Sequence, residues 1–275
     1  MIQAIRKHWP EYLMEAISVA IFLFVAGMGA TLLRHVDSPI YPYVSGAPML
    51  QRLLLGLVVG LTAVSIVYSP VGKRSGAHIN PAVTLTFLRL GKISPWDALF
   101  YVIAQFTGAI LGMNIAWFLL GDWVSAPAVN YAVTVPGTAG YAVAFFAEAG
   151  ISLGVMSIVL WSTNRHHLHK YTGIMVGIAI ATYITLESPL SGTSMNPART
   201  LGSAVPAHVF TGIWIYFLAP LVGMFLAAEI YLWKYGADAV HCAKLYHSHD
   251  VRCIFKCGYA MKMNEMKLND TPEEE

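Results

Sequence analysis

Charge is scarce in this chain. Asp, Glu, Lys and Arg make up 12% of its 275 residues, roughly half the share usual in soluble domains. A soluble enzyme of this length needs far more charge to cover its surface, so that class fits poorly. The 17 basic and 15 acidic residues nearly cancel, to +2, which gives no basic field for nucleic acid. Disorder is excluded, because it needs low hydrophobicity and high net charge, and 56% of these residues are hydrophobic. Cysteine is scarcer still. Cys242, Cys253 and Cys257 all fall in the last 34 residues, and an odd count confined to one end argues against a disulfide framework. What remains is an integral membrane protein with a short polar tail.

Six apolar stretches, near 12–33, 50–67, 96–120, 141–161, 172–186 and 212–232, approach the roughly 20 residues needed to cross a bilayer. The first is longer than the apolar core of a signal peptide, and no cleavage site stands out before Arg34, so no cleavable leader is expected. Two more apolar stretches, beginning at Asn80 and Asn196, are too short to span. With six spans both termini share a side. That side collects Arg6, Lys7, Lys73, Arg74, Arg89, Lys92, Arg165, Lys170 and Lys234, while the opposite loops hold Arg34, Arg52 and Arg199. The positive-inside rule then places both termini in the cytoplasm.

The chain resembles itself. Ser75-Gly76-Ala77-His78-Ile79-Asn80-Pro81-Ala82 aligns with Ser191-Gly192-Thr193-Ser194-Met195-Asn196-Pro197-Ala198 at a constant offset of 116. Glu15-Ala16 echoes Glu148-Ala149, and Gly56 and Gly60 echo Gly173 and Gly177. Each half has three spans, so the second half enters the membrane from the other side. Inverted repeats put their functional site near the midplane, at helices that do not span. Asn is a good N-cap and Pro suits the first helical position. Asn80-Pro81 and Asn196-Pro197 therefore each read as a helix starting inside the membrane. Inverted topology points the two positive helix ends at each other.

These paired Asn-Pro-Ala boxes, together with the repeat, resemble the major intrinsic proteins, the aquaporin and aquaglyceroporin family, over roughly residues 10–235. The resemblance implies an all-α membrane fold: an hourglass of six transmembrane helices and two re-entrant half-helices, with one pore per subunit and a homotetramer in the bilayer, expected at the cell membrane. The channel domain would be 1–235, with repeats at about 10–120 and 140–235, and 236–275 would be a cytoplasmic tail. The implied activity is passive conduction of water and small uncharged solutes such as glycerol, excluding protons and ions, with no enzymatic role and no cofactor in the pore. A proton-coupled transporter is the competing class, because inverted repeats occur there too.

The family's pore positions map onto named residues. Asn80 and Asn196 would offer amide N–H groups to water, while Pro81, Ala82, Pro197 and Ala198 complete the boxes. Arg199, directly after the second box, would line the outer constriction. Ile184 lies 12 residues and Thr193 three residues before Asn196. Val59 is chosen over Gly60 because Val59-Gly60-Leu61-Thr62 resembles the family's aromatic-Gly-Leu-Thr run. The constriction is thus Val59, Ile184, Thr193 and Arg199. It lacks the Phe and His of water-specific members, and Thr200 stands where glycerol facilitators carry Asp. The whole looks somewhat closer to nodulin-like channels.

Other features carry weaker signals. Glu15 and Glu148 are intramembrane carboxylates, which the family resemblance reads as braces for the re-entrant loops rather than proton carriers. Glu187 reads as solvated loop charge. The paired glycines, Gly108 and Gly112 included, read as helix-packing sites. The loop Arg165-His166-His167-Leu168-His169-Lys170 reads as a solvated basic loop, with a histidine pH gate as the sharper alternative. The loop 122–138 carries no recognisable chemistry. In the tail, Cys242, His247, His249, Cys253 and Cys257 are zinc-type ligands in a reducing compartment, though their spacing matches no standard signature. A basic amphipathic tail with incidental Cys and His, or palmitate on a membrane-surface segment, is the competing reading.

Overall fold

A computed structural model describes residues 1–248 and 250–258. Twelve α-helices follow in chain order: α1 Ile2–Arg34, α2 Tyr41–Val44, α3 Pro48–Tyr68, α4 Pro70–Ser75, α5 Pro81–Arg89, α6 Pro95–Leu120, α7 Asp122–Ser125, α8 Tyr141–Thr163, α9 Thr172–Leu186, α10 Ser188–Ser191, α11 Pro197–Ala207 and α12 Ile213–Tyr235. The described residues contain no strand. Helices α1, α3, α6, α8 and α12 are long and apolar enough to cross a membrane. Their outer faces suit lipid: Phe118 is 82% and Trp233 88% exposed, and an apolar exterior of that kind needs an apolar solvent.

The fifth expected span takes a broken form. Helix α9 has 15 residues, about 22 Å at 1.5 Å per residue, short of a bilayer's hydrocarbon core. A 3-10 turn, His169–Tyr171, precedes it and α10 follows almost at once. The break has a local cause. Pro189 has no N–H to give the Thr185 carbonyl four residues back. Arg52 Nε fills that acceptor instead, at 2.9 Å.

The two halves are interleaved. Helix α1 packs along α6, α8 packs along α12, and α3 crosses α9 between the halves. Half-helix α11 lies against α6 and α5 against α12, so each half-helix is seated on the last span of the other repeat. Glycine sets the α3–α9 approach: a Cβ on Gly60 or Gly177 would strike the carbonyl oxygen of the other. The same closeness recurs within each half, where a Cβ on Gly108 would meet the Ala16 carbonyl and one on Gly223 the Ala149 carbonyl. In a membrane, where lipid tails are as apolar as the side chains, such close backbone packing is the main source of helix association.

The described segment after α12, up to residue 258, returns to the end of the bundle that carries the N-terminus. Arg252 Nη2 donates to the Lys7 carbonyl at 3.0 Å, and Lys256 N donates to the Lys92 carbonyl at 3.0 Å. Arg74 Nε pairs with buried Glu11 at 3.0 Å on the same end.

Candidate functional site

Both half-helices begin as their sequences dictate. Asn80 is the N-cap of α5, and its side-chain oxygen accepts from Ala82 N at 2.9 Å. Asn196 caps α11 and accepts from Ala198 N at 3.0 Å and Arg199 N at 3.3 Å. Pro81 and Pro197 follow at the first helical position, where no N–H is needed. Each amide NH₂ then crosses to the other repeat. Asn80 Nδ2 donates to the Met195 carbonyl and Asn196 Nδ2 to the Ile79 carbonyl, both at 2.8 Å. An amide NH₂ has two hydrogens, so one staples the opposite loop and one is left to face the cavity.

The carbonyls of Ile79 and Met195 reach those amides because the loops are twisted. Ala77, Ile79, Thr193 and Met195 have φ of 55°, 44°, 56° and 55°, in symmetric pairs. Such conformations cost about 1–3 kcal/mol each for side-chain-bearing residues and need a surrounding that holds them. Two buried carboxylates supply it. Glu15 accepts from Ser75 Oγ at 2.8 Å, His78 N at 3.1 Å, Ile79 N at 2.7 Å and Gln105 Nε2 at 2.8 Å. Glu148 accepts from Ser191 Oγ at 2.6 Å and from Ser194 N and Met195 N at 2.7 Å each. Tyr101 and Tyr216 add a matching pair, donating to the Ser75 and Ser191 carbonyls at 2.7 and 2.6 Å. Sequence reasoning passed over these tyrosines and Gln105, although a buried Tyr in the third span of each repeat was the available signal.

A single cavity of about 330 Å³ passes both boxes. Its wall includes Asn80 and Asn196, with Arg34 and Arg199 lining it and His78 and Leu245 among its other wall residues. Val59, Ile184, Thr193 and Arg199 all line it. Gly60 faces the helix crossing instead. The rest of the wall is mostly aliphatic, and among the described residues it holds no carboxylate. Arg199 Nη1 is buried and makes no hydrogen bond among the described residues.

Three expectations are corrected here. Glu187 is 8% exposed rather than solvated, and its carboxylate accepts from Thr193 Oγ1 at 2.5 Å. It lies at the break between α9 and α10, turned inward onto Thr193. That bond spends the Thr193 proton, leaving the hydroxyl only lone pairs to offer elsewhere. The loop 122–138 also has a role: Ala132, Val133, Val135, Pro136 and Gly137 line the cavity, and Thr134 Oγ1 meets Thr200 Oγ1 at 2.9 Å. Arg34, assigned to an outer loop, joins the cavity wall. The basic loop forms the 3-10 turn His169–Tyr171, with His169 Nδ1 at 2.7 Å from the His166 carbonyl.

In the tail, Cys242, His247, Cys253 and Cys257 converge, with one ligand atom of each within 4.8 Å of the others. His249 lies outside the described residues. Phe255 is buried against His78 and Tyr101, so the segment 253–257 turns into the protein instead of presenting a greasy face to a membrane surface.

Fold and site together define an integral membrane protein built from inverted repeats. The family model "Major intrinsic protein" matches residues 3–231, and the chain belongs to that family. A probable NIP-type aquaporin from Nicotiana alata is 38% identical over 62% of this chain and 62% of its own length. A glycerol uptake facilitator protein-like 6 from Lactiplantibacillus plantarum is 36% identical over 64% of this chain and 82% of its own. The chain thus spans just under two thirds of the plant relative. The X-ray structure of the aquaglyceroporin from Plasmodium falciparum superposes with a TM-score of 0.67, at 23% identity, over 82% of this chain and 96% of that one. The nodulin-like look of the constriction agrees with the NIP-type relative.

Proposed function

We propose that the chain is a passive, bidirectional channel for water and small uncharged solutes such as glycerol. The carrying observation is the cavity that passes both half-helix N-termini with the two asparagines on its wall. A water at the waist accepts the remaining N–H of Asn80 and of Asn196 through its oxygen. Its own hydrogens then point away, so the water file reverses direction there. The positive ends of α5 and α11, with Arg34 and Arg199 beyond, oppose cations including hydronium. Neutral molecules pass, and protons do not.

A proton-coupled transporter is disfavoured by the same geometry. Glu15 and Glu148 are occupied by loop donors and do not line the cavity. Stopped-flow swelling of proteoliposomes tests the reading. Water and glycerol should both equilibrate without saturation and without a proton gradient. Saturable flux that depends on the gradient would favour the transporter; water flux with glycerol excluded would show that Val59 and Ile184 do not set the bore. The reading extends to a homotetramer in the cell membrane with both termini cytoplasmic. The basic residues gathered around the terminal end support that orientation, and cross-linking and protease accessibility in sealed vesicles test it. Enzymatic chemistry and a pore cofactor form no part of it.

A further inference from the structure

The structure assigns a second site to the tail: we propose that Cys242, His247, Cys253 and Cys257 bind one zinc-type ion that clamps the tail over the pore's cytoplasmic mouth. The ligand set is the first argument. Three thiols and one imidazole are a standard structural zinc set, with Zn–S bonds of about 2.3 Å that put tetrahedral sulfurs about 3.8 Å apart. Cys242 Sγ and Cys253 Sγ are 3.6 Å apart, and Cys257 Sγ is 3.1 Å from His247 Nε2. The sulfur separation is far beyond a disulfide bond and close to a tetrahedral edge. The Cys257–His247 edge needs a small spreading, and edges as long as 4.8 Å a contraction of up to about 1 Å, to close a tetrahedron.

The surrounding charge is the second argument. Lys244 is 1% exposed, and its Nζ donates to the Lys73 and Arg252 carbonyls at 2.8 Å each. Among the described residues, no carboxylate lies within ion-pair distance of it. Glu11 acts on it only from farther off and is itself paired with Arg74, so this buried ammonium has no counter-charge in contact among the described residues. A zinc held by three thiolates and one neutral imidazole carries one net negative charge and supplies it. Binding releases the three thiol protons and the ion's water ligands to solvent, and the Cys242–Cys253 and Cys257–His247 hydrogen bonds give way to metal–ligand bonds.

The third argument is the fold of the segment. Among the described residues, 240–258 contains no helix or strand. Yet Cys242, Ala243, Leu245 and Phe255 are buried. The segment is tied to the first re-entrant loop by Leu245 N to the Gly76 carbonyl at 3.1 Å and by His78 Nε2 to the Ala243 carbonyl at 2.7 Å. A stretch this short has too little core to hold that shape, and a structural metal can provide the missing free energy. The clamp places Leu245 on the cavity wall beside His78. This inference stands apart from which solute the pore carries.

Metal analysis of full-length protein, purified without a polyhistidine tag, tests it. About one zinc per chain is expected, falling below about one tenth in Cys253→Ser and Cys257→Ser. Cobalt exchanged into the wild type should show thiolate charge-transfer and tetrahedral visible bands. Should a serine variant fail to fold, maleimide labelling of the wild type still decides. The tail cysteines should resist it until a chelator is added. Wild-type protein with less than about a tenth of an equivalent and no cobalt spectrum, a Cys242–Cys253 disulfide by mass, or undiminished zinc in both variants would each overturn the proposal.

Discussion

The two re-entrant loops are built alike at their backs and differently at their openings. Behind each stands one buried glutamate on a pair of consecutive loop N–H groups, one serine hydroxyl and one tyrosine on the serine carbonyl. At the openings the symmetry ends. His78 meets Thr84 at 3.0 Å in the first loop and rests on the tail through Ala243. Ser194 meets Thr200 at 2.6 Å in the second, and Thr200 leans on Thr134 from the loop 122–138. Arg199 follows one box, whereas Val83 follows the other. The shared part is what folds a strained loop inside a membrane, where every buried N–H needs an acceptor. The unshared part is what each mouth presents to its own compartment.

The strongest way to break this comparison is to remove a brace. Glu15→Ala and Glu148→Ala each orphan at least three buried donors, at about 1 kcal/mol or more apiece. Little monodisperse protein should survive detergent extraction of either variant, and any that does should melt well below wild type. A melting temperature unchanged in one variant alone would show that the two loops are not held by the same device.

Arg199→Val sharpens the asymmetry. Proton conductance in a pH-dye vesicle assay should rise about tenfold, equivalent to about 1.4 kcal/mol of barrier, while folding is kept. If proton leak stays at the wild-type level, the barrier belongs to the helix ends that both loops share. Val59→Phe narrows the same mouth. Glycerol flux should fall about tenfold with water flux reduced less, since overfilling a fitted space costs about 1–3 kcal/mol. Equal losses for both would place the bottleneck elsewhere. The smallest effects belong to Tyr101→Phe and Tyr216→Phe, each removing one buried hydrogen bond worth about 1 kcal/mol. Thermal melts should show matching decreases, and a loss confined to Tyr101 would mean that the tail contact, not the brace, dominates there.

Much of this was legible from residues alone. Apolar run lengths fixed the membrane class, the offset repeat implied inverted topology, and Asn-Pro announced a helix start wherever it occurred, because caps are local. The break after α9 was harder to read. Pro189 was visible, but that Arg52 would take the vacated Thr185 carbonyl depended on a residue 133 positions away.

Local chemistry therefore determined which segments span, where the two half-helices begin and which residues are zinc-type ligands. Tertiary structure decided the rest: that each asparagine staples the opposite repeat, that Glu187 turns inward onto Thr193, that the loop 122–138 lines the cavity, and that four of the tail's ligands meet. Those outcomes rest on contacts between distant segments, set by glycine-mediated helix crossings and by the demand of buried donors for partners. No spacing along the chain encodes which distant group will answer that demand.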